Sequence, residues 1–157
     1  MRDYILEKTV WTHEDFILGM PLNDCLVYAF ALYEPRELVL DVDFIFDRVD
    51  RHTDSARFWV APCSLVFEDV RLSSIDIRCV RPHVREFTRY LPRSIKKPTL
   101  TNREVDWLYN ISLNKGEIIF RSSDYHLYVR RSPVLIDRMS LTDEERGGVL
   151  FSRVFEG

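Results

Sequence analysis

Glycine, proline and cysteine are scarce in this chain of 157 residues, at 5, 7 and 3 copies. So little Gly and Pro excludes collagen-like, low-complexity and disordered classes. Cys25, Cys63 and Cys79 are odd in number, widely spaced and set in apolar runs. That pattern excludes a disulfide framework and reads as reduced thiols packed in a cytoplasmic core. Long hydrophobic runs are also missing: the longest, Cys25 to Tyr33, has nine residues and ends at Glu34-Pro35-Arg36-Glu37, too short for a membrane-spanning helix. The segment Met1 to Lys8 is broken by charge and carries no secretion signal. With 22 Lys+Arg against 25 Asp+Glu, a net charge of -3 gives no global attraction to phosphate polymers or anionic membranes. A soluble, cytoplasmic protein with no membrane or cofactor partner is expected.

What is present is apolar and aromatic: 46% of residues are hydrophobic and 13% aromatic. A chain of this length buries one core, so residues 1–157 are read as a single globular domain. The spacing predicts a first strand from Tyr4 to Trp11. A capping box at Thr12-His13-Glu14-Asp15 then opens a short helix ending near Gly19. Pro21 to Asp24 is a turn, and Cys25–Tyr33 with Leu38–Asp47 forms a hairpin. On its second arm Leu38, Leu40, Val42, Phe44 and Phe46 share one face, while Val39, Asp41, Asp43, Ile45 and Asp47 fall on a solvated one. Asp50 to Arg57 is a loop, followed by strands Phe58–Glu68 and Val70–Cys79. Pro62 points to an edge, a bulge or a split of the first of these. Val84, Phe87 and Leu91 lie at i, i+3 and i+7, so Pro82–Tyr90 is read as an amphipathic helix. Arg93 to Lys97, between Pro92 and Pro98, is an exposed connection. Further strands are Glu104–Leu113, Glu117–Arg121 and Tyr125–Arg131, the first two joined at Asn114-Lys115-Gly116. Leu141 to Gly148 is a capped helical turn stopped by glycine, before a final segment Val149–Phe155. The sum is an α+β, sheet-dominated fold: a mostly antiparallel sheet or sandwich with one or two short helices.

Few residues carry the pattern of a reactive site. Asp41 and Asp43, two apart on a strand, project to one side. With His52 they define a metal-dependent enzyme as one alternative, against the simpler reading of a solvated strand face. Asp47, Asp50, His52 and Asp54 extend the acidic stretch without matching a zinc or EF-hand signature. Asp24-Cys25 lacks a neighbouring histidine, and Ser122-Ser123-Asp124-Tyr125-His126 lacks a nucleophile elbow and reads as a turn. His13 and His83 have no local ligand partner. The strongest local feature is charge segregation: Arg78 to Lys97 holds seven cations and one anion, for +6, leaving about -9 elsewhere. On a helix, Arg81, Arg85 and Arg89 would form one cationic ridge for an acidic protein partner. Nucleic-acid binding is the less favoured alternative, because no RNA or DNA motif accompanies the ridge. Trp11, Trp59 and Trp107 are read as core. An exposed aromatic row rimmed by the basic segment would instead mark a binding surface.

Asn23-Asp24-Cys25, the acidic strand Leu38 to Asp47, Phe58-Trp59-Val60-Ala61-Pro62-Cys63 and Glu145-Arg146-Gly147-Gly148 together resemble small uncharacterised bacterial β-rich proteins. They are loosely similar to immunity proteins of bacterial toxin systems. Such proteins open with a His-Asp turn where this chain has Asn23, and no catalytic residue carries over. The resemblance implies a non-enzymatic, cytoplasmic protein-binding domain, an immunity-type inhibitor being its specific form. Partner contact is assigned to Arg81, Arg85 and Arg89.

Overall fold

A strand whose two faces are both apolar or sealed must sit between two layers, and the third strand of this protein does. A computed structural model describes residues 6–16, 19–49, 56–91 and 106–157. Among them, ten strands pair antiparallel throughout: β1 (Val10–Thr12), β2 (Leu26–Tyr33), β3 (Glu37–Val49), β4 (Arg57–Glu68), β5 (Arg71–Ile77), β6 (Val84–Tyr90), β7 (Trp107–Leu113), β8 (Gly116–Ser122), β9 (Asp124–Val129) and β10 (Val134–Ile136). One sheet has the order β1-β9-β4-β3-β2, with β10 also on β4. The other has the order β5-β8-β7-β6. One short helix, α1 (Asp143–Arg146), completes an α+β, sheet-dominated fold. No helix among the described residues is long and apolar enough to cross a membrane.

The core lies between the sheets. Leu38, Leu40, Val42 and Phe44 of β3 and Ala61, Cys63, Leu65 and Phe67 of β4 meet Tyr109, Ile111, Ile118 and Phe120 of the second sheet in one buried cluster. The other face of β3, expected to be solvated, is covered by the C-terminal segment. Asp41 and Asp43 are fully buried, and Val60 and Phe58 pack with Leu141 on that side.

Several elements depart from the expected pattern for identifiable reasons. Leu6 and Glu7 are helical, and the first strand is only Val10–Thr12. The helix after it is a single 3-10 turn, His13–Asp15. Here the Asp15 carboxylate reaches back to the Thr12 amide at 2.7 Å. Pro62 sits inside a continuous central strand rather than at an edge or split. In an antiparallel strand a residue's N–H and C=O point the same way, and the Pro62 carbonyl accepts from the Arg130 amide at 2.9 Å. The missing N–H therefore faces the break where β9 ends and β10 has not begun, and no ladder bond is lost.

Pro82–Tyr90 is not a helix: Val84–Tyr90 forms β6. Val84 opposes Leu113 and Phe87 opposes Ile111, with a bulge between Val84 and Glu86. The extra residue turns both Val84 and Phe87 inward, so a three-residue spacing that imitates a helical face arises on a strand. The connection Arg93 to Lys97 and the residues Asp50, His52 and Asp54 lie outside the described residues.

The β7–β8 turn is as expected. Gly116 has φ +132°, and an added Cβ would lie 1.8 Å from the Asp76 carbonyl oxygen. Gly116→Ala is expected to cost more than about 2 kcal/mol, because both the backbone angle and the approach of β5 forbid a side chain. Urea denaturation measures the loss.

Candidate functional site

Asp41 and Asp43 leave β3 on its outer face, where two arginines from the C-terminal third of the chain close over them. Arg146 Nη2 and Arg130 Nη2 each reach Asp41 Oδ1 at 2.7 Å, and Arg146 Nη1 reaches Oδ2 at 3.0 Å. Arg146 Nε donates to Asp43 Oδ1 at 3.2 Å. Asp43 Oδ2 also accepts from the Tyr28 hydroxyl at 2.5 Å and the Leu141 amide at 2.8 Å, while the Leu150 amide reaches Asp41 at 3.1 Å. Arg130 Nη1 donates to Ser64 Oγ and the Leu150 carbonyl, and Ser64 Oγ donates to the Ser152 carbonyl. Two carboxylates meet two guanidiniums, so the cluster is neutral, as its complete burial requires. Its bonds run from the sheet to residues 141, 146, 150 and 152, so it fastens the C-terminal segment down.

Burial pushes the Asp43 carboxyl above its ordinary value, against the Leu141 amide, the Tyr28 hydroxyl and Arg146. For Arg146 burial acts downward, but the Asp41 hydrogen bond and the Asp41 and Asp43 charges carry its value upward. Burial, then the Asp43 hydrogen bond, raise the Tyr28 phenol, which stays a donor. These carboxylates are therefore occupied acceptors. Asp47 instead lines an open cleft of about 640 Å³ with Asp24, Arg48 and Phe58, so the acidic strand residues do not converge. No group of three His, Cys, Asp or Glu among the described residues is arranged to hold a metal ion.

Arg146 is delivered by α1, whose ends follow the expected signals. Thr142 Oγ1 accepts from the Glu145 amide, Glu145 Oε1 accepts from the Thr142 amide at 2.8 Å, and Gly147 closes the helix at φ +77°. Arg138 binds the same Glu145 oxygen at 3.0 Å. The Arg138 and Thr142 hydrogen bonds hold the Glu145 carboxyl down at about 2. A depressed carboxylate stabilises the fold above its unfolded value of about 4.5, and that contribution fades as pH falls toward about 2. The protection factor of the Thr142 amide, its exchange relative to an unstructured amide at the same pH, is expected to fall across this window, and Glu145→Gln should remove the dependence.

The remaining sequence candidates resolve individually. His13 has a partner 111 residues away, Asp124 Oδ1 at 2.8 Å from Nδ1. Ser122 Oγ donates to the Glu68 and Asp124 carbonyls and Ser123 Oγ to Asp69; the run is a bend at Ser123 between the end of β8 and the start of β9, with no nucleophile and base in contact. All three cysteines are free thiols. Burial pushes Cys25 up to about 12 and Cys63 well above its ordinary value, which makes both poor nucleophiles.

Arg81, Arg85 and Arg89 do not form a helical ridge. Arg89 lies over the Trp107 ring at 4.0 Å, and Arg85 is the exposed residue at the β6 bulge. Arg81 has φ +55°, in the left-handed region, which costs a non-glycine residue about 1–2 kcal/mol. It lies over the Tyr28 ring at 5.1 Å, beside Asp143 at 3.6 Å, while Arg146 covers the same ring at 3.5 Å.

Arg81 stands at the start of an open sheet edge. Pro82 and Val84 bond Val27 and Cys25 across β2's outer side, and an isolated bridge joins Leu26 to His83. Beyond Val27 no described strand pairs with the outer edge of β2. From Cys25 to Tyr33 the chain has no charge and no proline. Phe30 opposes Leu40 and Leu32 opposes Leu38, both core residues, so these two side chains lie on the core face. They nevertheless remain 40% and 56% exposed, and Tyr33 next to them is 47% exposed. Sequence reasoning missed this row because an unbroken apolar run reads as a strand covered on both faces. No protein-family model matches the chain, and neither a curated protein nor a solved structure matches it.

Proposed function

We propose that this protein is a non-enzymatic protein-binding domain that takes an extended, acidic segment of its partner as an added strand on β2. The observation that carries the reading is the bare outer edge of β2. Natural sheets guard such edges with charge, proline, bulges or a covering element; this one carries a bulge at Tyr28 but, from Ala29 to Tyr33, neither charge nor proline, and no described strand pairs with it there. Main-chain hydrogen bonds would supply affinity and the flanking side chains selectivity. Arg81, held in a costly backbone angle next to the edge and 3.6 Å from the exposed Asp143, would exchange that partner for a carboxylate of the bound segment, with Arg85 exposed nearby in sequence. An inhibitor of the immunity type is the specific form of this reading. It is supported by the resemblance of residues 23–25, 38–47, 58–63 and 145–148, and co-expression with a candidate toxin tests it.

The binding reading itself is tested by titrating the isotope-labelled protein with a synthetic ten-residue peptide of alternating Val and Thr ending in glutamates. Amide shifts are expected along Tyr28 to Tyr33. Arg81→Glu is expected to weaken binding about tenfold, the scale of one lost and one repelling charge at a rim. Shifts confined elsewhere, or equal affinity for a lysine-ended peptide, would overturn the reading.

A further inference from the structure

Toward its C-terminal end β3 stops alternating. A bulge lies between Ile45 and Asp47, a device that re-aims side chains, and the four consecutive residues Ile45 to Arg48 all border the open cleft of about 640 Å³. Phe58 of β4, Phe87 of β6, Met20 and Met139 extend its apolar wall. Small-molecule sites occupy about 300–1,000 Å³ and combine apolar and aromatic walls with a few charged groups at fixed places. This cleft has that size and that composition.

Its charges select the ligand. Asp47 and Arg48 are already engaged, Arg48 lying over the Phe58 ring at 5.7 Å. Asp24, which also lines the cleft, differs: no cation among the described residues pairs with its carboxylate. It is nevertheless fixed in place. Its amide bonds the Val84 carbonyl at 2.8 Å, the next residue is the fully buried Cys25, and its φ is +70°. Asp and Asn are among the few side chains that tolerate this angle. The three charged residues of the cleft carry a net charge of -1, so an anionic ligand meets repulsion. An organic cation meets the opposite: a waiting carboxylate for its charge and ring faces for the methylene groups beside it. Arg48 on Phe58 is the same kind of contact made within the chain.

We propose that this cleft binds a small organic cation, an ammonium group carried on an aromatic or branched aliphatic body, with Asp24 as its counter-ion and Phe46, Phe58 and Phe87 around the body. The inference stands apart from the edge reading, since it uses neither Arg81 nor any residue of β2.

Titration of the isotope-labelled full chain with three ligands of similar size tests it: phenethylamine, the neutral 2-phenylethanol and the anionic phenylacetate. Shifts are expected at the amides of Met20, Asn23 and Asp24 and of Ile45 to Arg48. Phenethylamine is expected to bind about fivefold tighter than the alcohol, the scale of one exposed ion pair with one ring contact, and the acid to bind weakest. Asp24→Asn keeps a residue suited to the left-handed angle, so the fold should stand; it is expected to weaken the amine about threefold and leave the alcohol unchanged. Met139→Ala, at an exposed position, is expected to weaken amine and alcohol alike, because it strips apolar wall and no charge. Equal affinity of amine and alcohol, or an Asp24→Asn variant that binds the amine as tightly as the parent does, would overturn the proposal. So would tightest binding by the acid, which would give the cleft to Arg48, and so would no saturable shift with any of the three in the millimolar range.

Discussion

Arg146→Met is expected to cost about 3–5 kcal/mol, the penalty for breaking one side of a buried ion pair, and to lower the midpoint of thermal unfolding by about 10 °C or more. The reason is what stays behind. Without the guanidinium, Asp41 keeps Arg130 and the Leu150 amide, and Asp43 keeps the Tyr28 hydroxyl and the Leu141 amide. The buried layer then holds two carboxylates against one arginine. Arg146→Lys is expected to rescue little, since a single ammonium cannot reproduce the fork that spans both oxygens of Asp41 and touches Asp43. Arg146→Met combined with Asp41→Asn removes one charge of each sign, and its cost should fall below the sum of the single variants by about 1–3 kcal/mol. Chemical denaturation of the four proteins measures this coupling. A single-variant loss under about 1 kcal/mol would mean that water reaches the cluster. Hydrogen exchange adds a location: the amides of residues 141–156 should lose protection before those of β7 and β8.

The cluster also shows where the sequence stops being readable. Alternation on β3 correctly places Leu38, Leu40, Val42 and Phe44 in the core, because local period and burial agree there. The same alternation assigns Asp41 and Asp43 to solvent, because the residues that neutralise them lie about ninety to a hundred positions later. Glu145-Arg146-Gly147-Gly148 is legible as a capped helical turn, yet nothing local tells which carboxylates its arginine meets. Pro62 is misread for a related reason: its missing donor matters only on the side facing it, and that side is set by where β9 breaks. The β6 bulge is the purest case, since one inserted residue converts a strand's period into an imitation of a helical face. Arg81 was singled out by charge segregation. Its actual setting, stacked on Tyr28 beside an open edge, follows from the strand assignment of β6. The exposure of Phe30 and Leu32 on the core face depends on what the rest of the fold lays against them, and no period in β2 encodes that.

Phe67→Ala is the second large effect, about 3–5 kcal/mol for a buried aromatic whose site cannot collapse. Phe67 projects from β4 into a nest of rings from the opposite sheet. Its centroid lies 4.6 Å from Phe120 and 5.2 Å from Tyr109, both edge-on, and 6.3 Å from Phe87. Tyr125 of β9 adds a contact at 5.7 Å from its own sheet. Edge-to-face pairs contribute about 0.5–1.5 kcal/mol beyond their buried area, so the loss combines a cavity with several ring contacts. The surrounding strands are locked in two sheets and cannot close in. The signature should differ from that of Arg146→Met. Phe67 joins the two sheets, whereas the ionic cluster joins the first sheet to the C-terminal segment. Phe67→Ala should therefore lower protection in β7 and β8 together with β4, while residues 141–156 open no earlier than the rest. If instead the C-terminal segment opened first in both variants, the two layers would share one cooperative unit. A smaller penalty, under about 2 kcal/mol, would show that Tyr109 and Phe120, already stacked at 5.3 Å, can close over the vacated space.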